Sequence, residues 1–557
     1  MVMLRHFLLS IVLHSVYVSA APTALVSPSV TLGSATFVGE TSGTVQRFLG
    51  IPFAQPPVGN LRYRLPQPIT YTNGSYDAKK YGPSCGQQSV GLPLLSGLTA
   101  EAANYVINSI FGQIFPDDED CLTVNVVKPA TATPGSKLPV VVSSTPLPYN
   151  FDPPATGGFE LGSTSMYDGA LIVKKSQDLG QPVIYVSMNY RLTGFGFLAS
   201  KEVKEAGVGN LGLQDQREAL RWIQKYITQF GGDPTKVTIW GESAGAISVA
   251  LQMVANAGNT EGLFRGGFMQ SGATIPVGDI TNGQKYYDAV VKETGCTGAS
   301  DTLDCLRTIP YAKLKAAINK SPGIFAYQSL NLAWLPRTDG VFLTDNPQNL
   351  VQQGKVAKIP YVTGNCDDEG TLFSLANLNV TTDAQFKSYL KNTFLPGTSN
   401  AQIDKIAKLY PNDITAGSPF NTGIFNAVTP QFKRLAAFQG DGVFQAPRRW
   451  MLQHTASKQN VWVFVSKRLK GIPGLGAFHF SDILNVYGGG DMAGHLIRFV
   501  NKLDPNPVFG YQWPKYTLAT RKIATYVDGL NPIVTDTDDY RAEAMSYLTE
   551  VTLANPV

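Results

Sequence analysis

The pentapeptide Gly241-Glu242-Ser243-Ala244-Gly245 stands where a β-branched run, "KVTIW", gives way to the helix-forming "AGAISVALQMV". A serine at the tip of a strand-to-helix turn presents its hydroxyl from a strained backbone, and a glycine on each side lets the two arms of the chain pass without a Cβ clash. The helix behind Ser243 points its N-terminus at the reaction centre, where the Ala244 N–H can donate to a developing oxyanion. A serine hydroxyl is a weak nucleophile until a base takes its proton and an acid fixes the tautomer of that base. The chain must therefore bring a histidine and a carboxylate to the same end of its sheet.

Histidine is scarce, with five in the whole chain, and His6 and His14 fall in its N-terminal apolar segment. His479, in "GLGAFHFSD", follows the strand-like "VWVFVSK", and this loop position makes it the expected base. His454 lies in the polar, helical "RRWMLQHTASK" and reads as a surface residue; His495, in "GGGDMAGHLIRF", reads as part of a helix start. For the acid, "YVTGNCDDEGTLF" follows another strand and offers Asp367, Asp368 and Glu369, which as residues alone would equally suit a solvated turn. The order serine, acid, histidine along the chain is that of α/β-hydrolases. The string "GVGNLG", from Gly207 to Gly212, matches a dinucleotide-binding glycine pattern but does not directly follow a strand, so it is set aside. No cluster of histidine, cysteine and carboxylates has metal-ligand spacing, and neither a metal nor another cofactor is expected.

The elements that must position these residues alternate between strand and helix, the pattern of a mostly parallel central sheet with helices on both faces. "PVIYVSMNY" and "KIPYVTGN" read as buried strands, and "LQDQREALRWIQKYITQF" carries Leu220, Ile223, Ile227 and Phe230 on one helical face. Residues 281–350 and 381–455 read as large helical or irregular insertions. No linker divides the chain, so residues 21–557 are expected to form a single domain. Of the 557 residues, 43% are hydrophobic and 15% charged, enough to bury a large core, and the net charge of +4 without basic clusters excludes nucleic acid as a partner.

Residues 1–20 have the parts of a secretory signal peptide: Arg5, an apolar run from Phe7 to Val18, and a small-residue end at Val18-Ser19-Ala20. An extracellular location makes the five cysteines readable as disulfides. Pairing Cys85 with Cys121 and Cys296 with Cys305 is the simplest of the possible connectivities and leaves Cys366 as a buried thiol. Asn73 and Asn379 lie in glycosylation sequons, and Asn319 in a weaker one followed by Pro322.

A series of stretches places the chain beside a known family: "RFLGIPFAQPPVGNLRYRLPQP", "EDCLTVNVVKPA", "NYRLTGFGFLAS", "GNLGLQDQREALRWIQKYITQFGGDPTKVTIWGESAGA", "DEGTLF" and "GAFHFSDI". The chain resembles the type-B carboxylesterase/lipase family, the cholinesterase-like α/β-hydrolases, and within it the secreted fungal lipases of the Candida rugosa and Geotrichum kind. The resemblance implies the α/β-hydrolase fold. It places the nucleophile on Ser243, the acid on Glu369 and the histidine on His479, and it implies the disulfides Cys85–Cys121 and Cys296–Cys305. It puts the oxyanion donors on Gly157, Gly158 and Ala244. It also makes the apolar stretch Gly91–Phe115, between Cys85 and Cys121, a lid that exposes apolar surface on opening, toward a lipid interface or a second copy of the chain.

One stretch departs from the family. Relatives run from the strand equivalent to Val140–Val142 through a few residues into Gly-Gly-Gly-Phe. Here Thr156 replaces the first glycine, at the end of the proline-rich segment Ser143–Thr156 that interrupts the strand. It reads either as a surface bulge or as a sequence-level error such as a retained intron. Losing one oxyanion donor typically costs about a hundred- to a thousandfold in turnover. The expected function is a secreted serine hydrolase of apolar carboxylic esters, small or lipid, acting as a monomer or as a lid-mediated homodimer. The alternative is a catalytically impaired, cholinesterase-like binding protein with a displaced oxyanion strip.

Overall fold

A computed structural model describes residues 27–89, 117–144, 157–166 and 168–557. The signal segment, the Gly91–Phe115 stretch and residues 145–156 lie outside the described residues. The strands are β1 (Ser29–Leu32), β2 (Ala35–Val38), β3 (Glu40–Ser42), β4 (Val45–Pro52), β5 (Gly74–Asp77), β6 (Thr123–Pro129) and β7 (Leu138–Ser143). They continue with β8 (Ile184–Met188), β9 (Gly232–Glu242), β10 (Gly266–Gln270), β11 (Tyr361–Cys366), β12 (Val461–Ser466), β13 (Lys522–Tyr526) and β14 (Ile533–Thr537). Eleven of them form one sheet in the order β14-β13-β12-β11-β10-β9-β7-β8-β6-β4-β3, while β1, β2 and β5 form a small sheet of their own.

From β8 to β13 every neighbouring pair is parallel, with antiparallel strands added at both sides. Parallel strands need a crossover, and a helix fills it. Helix Ala170–Asp178 joins β7 to β8, Leu211–Tyr226 joins β8 to β9, and Ala244–Gly258 joins β9 to β10. Helices on both faces explain why β6, β8, β10, β11 and β12 are buried at every position instead of alternating, and why β12 reads "VWVFVS". The insertions at 281–350 and 381–455 are built of short helices. Phe386, Leu390, Phe394 and Ile406 form a second, smaller apolar cluster with Phe438 and Leu548.

Parallel strands all end on the same side. β7, β9, β11 and β12 therefore deliver the segments containing Gly157, Ser243, Glu369 and His479 to one edge of the sheet, where α/β proteins bind ligands. One expectation is corrected here: the extra residues do not interrupt β7. Ser143 pairs with both Ser187 and Trp240, and the Ser144 N–H still reaches the Trp240 carbonyl at 3.0 Å, so the strand completes its ladder first.

Both disulfides, Cys85–Cys121 and Cys296–Cys305, are formed, and Cys366 is a buried thiol. Asn73 and Asn379 are exposed. The "GVGNLG" segment is a structural turn: the Asn210 amide donates to Asp339 and the Arg337 carbonyl, both at 2.8 Å, and tethers the start of helix Leu211–Tyr226. His454 lies on helix Ala446–Thr455 with its ring against Trp450.

His495 lies inside helix Asp491–Lys502, against Trp513, with Nδ1 at 2.9 Å from the Pro505 carbonyl. Burial lowers its pKa to about 4. The unfolded imidazole binds a proton near pH 6.5 and the folded one only near pH 4, so stability is fully present above 6.5 and is lost as pH falls between the two. Between pH 7.5 and 5, urea denaturation of the wild type should lose about 2 kcal/mol more than His495→Asn, which keeps a donor for Pro505 but does not titrate. Equal losses would show that burial does not hold this imidazole neutral.

Candidate active site

Ser243 stands between the end of β9 and helix Ala244–Gly258 at φ 54°, ψ −124°, a backbone that L-residues seldom occupy. Its N–H donates to the carbonyl of Gln270 at 2.9 Å, tying the turn to β10, and its carbonyl accepts the Ile247 N–H at 2.8 Å. The turn closes because Gly241 has no side chain: a Cβ there would sit 2.3 Å from the Gly245 carbonyl carbon and 2.8 Å from the Ala246 nitrogen. Ala244 is the first helical residue, so its N–H has no intrahelical acceptor.

The His479 imidazole bridges two loops. Nε2 lies 2.8 Å from Ser243 Oγ, and Nδ1 is paired with Glu369 Oε2. The other Glu369 oxygen accepts the Cys366 N–H at 2.8 Å and the Asn365 amide at 3.2 Å. Asn365 is oriented in turn by Arg448 Nε at 2.7 Å, whose guanidinium grips the buried Asp538. Ser243, His479 and Glu369 are all buried, and the imidazole is packed among Phe373, Phe444 and Phe480.

Of the three neighbouring carboxylates, only Glu369 is paired with the imidazole. Asp367 binds Lys470 at 2.6 Å. Asp368 accepts from the Ser418 hydroxyl, the Phe420 and Ala477 N–H groups and Lys470, all within 2.6–2.9 Å, and so fastens the loop that carries His479. Spacing does not reveal this anchoring, because the partners lie 50 to 109 positions away. Two further buried acids surround the imidazole. Glu242 Oε1 is 3.4 Å from His479 Nε2, and burial first, then the nearby Asp482 and Glu369 charges, push its carboxyl well above the usual range. Burial also pushes Asp482, which accepts from the Gln270 amide at 2.9 Å, up to about 6.

Gly157 and Gly158 arrive on the other side of the serine. A Cβ on Gly157 would stand 3.6 Å from Ser243 Oγ, so the strip runs beside the serine hydroxyl. Gly158 has φ +65°, and a Cβ there would strike Leu332 at 2.8 Å and Ile324 at 3.0 Å. Gly158 is thus required where it stands. From Ser243 an apolar pocket extends between Ile247, Ile275, Ile324, Leu332, Leu335, Phe394, Leu395, Val443 and Phe444, with few polar groups such as Asn331 and Thr552. Among the described residues no cluster of potential ligands could hold a metal.

The model of the "Carboxylesterase family" matches residues 26–531. The chain is 45% identical to Lipase 4 of Diutina rugosa over 91% of both chains, and 40% identical to Secreted lipase 1 of Botryotinia fuckeliana over 94% of this chain and 92% of that one. It is 38% identical to Lipase 2 of Geotrichum candidum over 94% of this chain and 95% of the relative. Among solved structures, Aspergillus niger EstA superposes with a TM-score of 0.79 at 28% identity, covering 95% of this chain and 99% of that one.

Gly241→Ala tests the turn directly. The added methyl meets backbone that no side-chain rotation can clear, so chemical denaturation should show a loss of about 3 kcal/mol or more, or no folded protein. A variant of wild-type stability would mean that the two arms are further apart than described.

Proposed function

The chain belongs to the carboxylesterase family, and from that premise we propose that it is a secreted serine hydrolase of apolar carboxylic esters, with Ser243, His479 and Glu369 as its catalytic triad. The observation that carries this reading is the His479 imidazole, which links Ser243 to Glu369 at the mouth of an apolar pocket. Ser243 Oγ attacks the ester carbonyl carbon while its proton passes to His479 Nε2. Glu369 holds the Nδ1 proton and stabilises the imidazolium that forms. The carbonyl oxygen, now negative, accepts hydrogen bonds from the N–H groups of Gly157, Gly158 and Ala244. Collapse of this intermediate expels the alcohol, which takes the proton from His479 Nε2, and leaves an acyl group on Ser243. Water then repeats the sequence, with His479 as base, and releases the carboxylic acid.

Glu242 fits this scheme as a neutral neighbour. An ionised carboxylate at 3.4 Å from Nε2 would compete with Ser243 for the imidazole, and burial beside Asp482 and Glu369 keeps the proton on it. The apolar pocket suits an acyl chain, since each buried methylene contributes about 0.8 kcal/mol. Secretion rests on the N-terminal signal pattern, on two disulfides and on relatives described as secreted lipases. Exposed Asn73 and Asn379 suit glycosylation in that compartment. The reading as an impaired binding protein loses its main support, because Gly157 and Gly158 lie beside Ser243 in spite of the preceding segment.

Hydrolysis of p-nitrophenyl esters of graded chain length tests the reading. The purified protein should be active, Ser243→Ala silent, and kcat/KM should rise roughly two- to fourfold per methylene until the pocket is full. Folded wild-type protein without activity would sink it. Glu369→Gln keeps the shape but loses the charge that supports the imidazolium, and kcat should fall by about three to four orders of magnitude. A kcat within tenfold of wild type would assign the acid elsewhere.

A further inference from the structure

Glu160 follows the strip Gly157-Gly158-Phe159 and is fully buried, yet no cation pairs with it among the described residues. A buried carboxyl without a counter-charge costs stability, and an apolar side chain would be favoured there on packing alone. Burial pushes its pKa up to about 8, so it holds its proton at neutral pH. What it does with its atoms is specific. Oε2 accepts the Ile324 N–H at 2.9 Å, its own N–H donates to the Gly157 carbonyl at 3.1 Å, and its carbonyl accepts the Gln88 N–H at 3.0 Å.

Ile324 closes the circle, because its side chain also lies against Gly158 and lines the pocket. From the upstream side, the register of β7 ends at Ser143 and Ser144, well before Gly157 in the chain. Downstream, Phe159, Glu160 and Gly162 are each fastened. The Phe159 carbonyl accepts the Thr193 N–H at 2.8 Å, and the Gly162 N–H reaches Gln87 Oε1 at 2.8 Å. Phe159 itself is held at φ +61°, a conformation that persists only where surrounding contacts over-determine it.

We propose that Glu160 is the positioning residue of the oxyanion strip: seated on the Ile324 N–H, it holds Gly157 and Gly158 beside Ser243 from the downstream side, so that the segment before them can vary without displacing the donors. The inference rests on the serine-hydrolase reading given above. It assigns Glu160 no contact with the reacting atoms.

The test compares Glu160→Gln, which keeps an acceptor for Ile324, with Glu160→Met and Glu160→Ala, which do not. Two apolar variants of different size are made so that a folding failure in one leaves the other to decide; circular-dichroism melts identify the folded one. With p-nitrophenyl butyrate, the folded apolar variant should lose about a hundredfold in kcat, the scale of one lost oxyanion donor, with KM within about threefold of wild type. Its affinity for a trifluoromethyl ketone, which forms a tetrahedral oxyanion on the serine, should fall in parallel, while inhibition by the free fatty acid stays unchanged. Glu160→Gln should stay within about threefold of wild type in all three. An apolar variant with wild-type kcat overturns the proposal, as does a Gln variant as impaired as the apolar ones. Absence of activity in the wild type itself would instead overturn the serine-hydrolase reading on which it rests.

Discussion

The left-handed turn at Ser243 is the constraint on which the remaining geometry depends. A non-glycine residue at φ 54° costs of order 1–3 kcal/mol and is kept there by what surrounds it. β9 pairs with β10 up to Glu242 and Gln270, and the Gln270 carbonyl takes the Ser243 N–H, so the sheet holds one arm of the turn. The helix holds the other through the Ile247 N–H, and Gly241 lets the arms meet. The strain is local, but the force that maintains it is the parallel sheet. That sheet also explains why β11 and β12 bring Glu369 and His479 to the same edge.

Electrostatics then selects among several acids crowded into a small volume. Glu369, Glu242 and Asp482 all surround His479, and buried like charges raise one another's proton affinity. Glu369 differs because donors from Cys366 and Asn365 hold one oxygen and the imidazole takes the other. Asn365 can donate to it because Arg448 and Asp538, a charge pair buried beneath the sheet edge, orient its carbonyl away. Asp538 is held down at about 2, with Arg448 and Arg449 opposing the cost of its burial, so this foundation keeps its charge throughout the neutral range. Glu242, whose proton burial retains, leaves the imidazole to Glu369.

The apolar side of the site is governed by shape. The pocket beside Ser243 draws its walls from segments distant in the chain, including Ile247, Ile324, Leu332, Phe394 and Phe444, and the glycine strip lies beside both Ser243 and Ile324. Gly158 touches the same Ile324 and Leu332 that form the wall, so the placement of the glycines and the width of the pocket are one packing problem.

Much of this was legible in the sequence where the signal is local. The glycines around Ser243 announce a strand-to-helix turn because only a close backbone approach demands them. "VWVFVS" announces a strand buried on both faces, and the scarcity of histidine narrows the base to His479. The choice among Asp367, Asp368 and Glu369 was not local: as residue types they are nearly alike, and family resemblance, not spacing, pointed to Glu369. Only the folded chain separates them, because Lys470, Ser418, Phe420 and Ala477 occupy the two aspartates and leave Glu369 to the imidazole. Glu160 was invisible in the same way, since its partner Ile324 is 164 positions distant. By itself the sequence determined the turn, the strands and the residue types able to do chemistry, which periodicity and backbone sterics encode over a few residues. The tertiary structure alone decided which carboxyl meets which donor, because a long-range hydrogen bond leaves no trace in spacing and exists only once the sheet has brought its loops together.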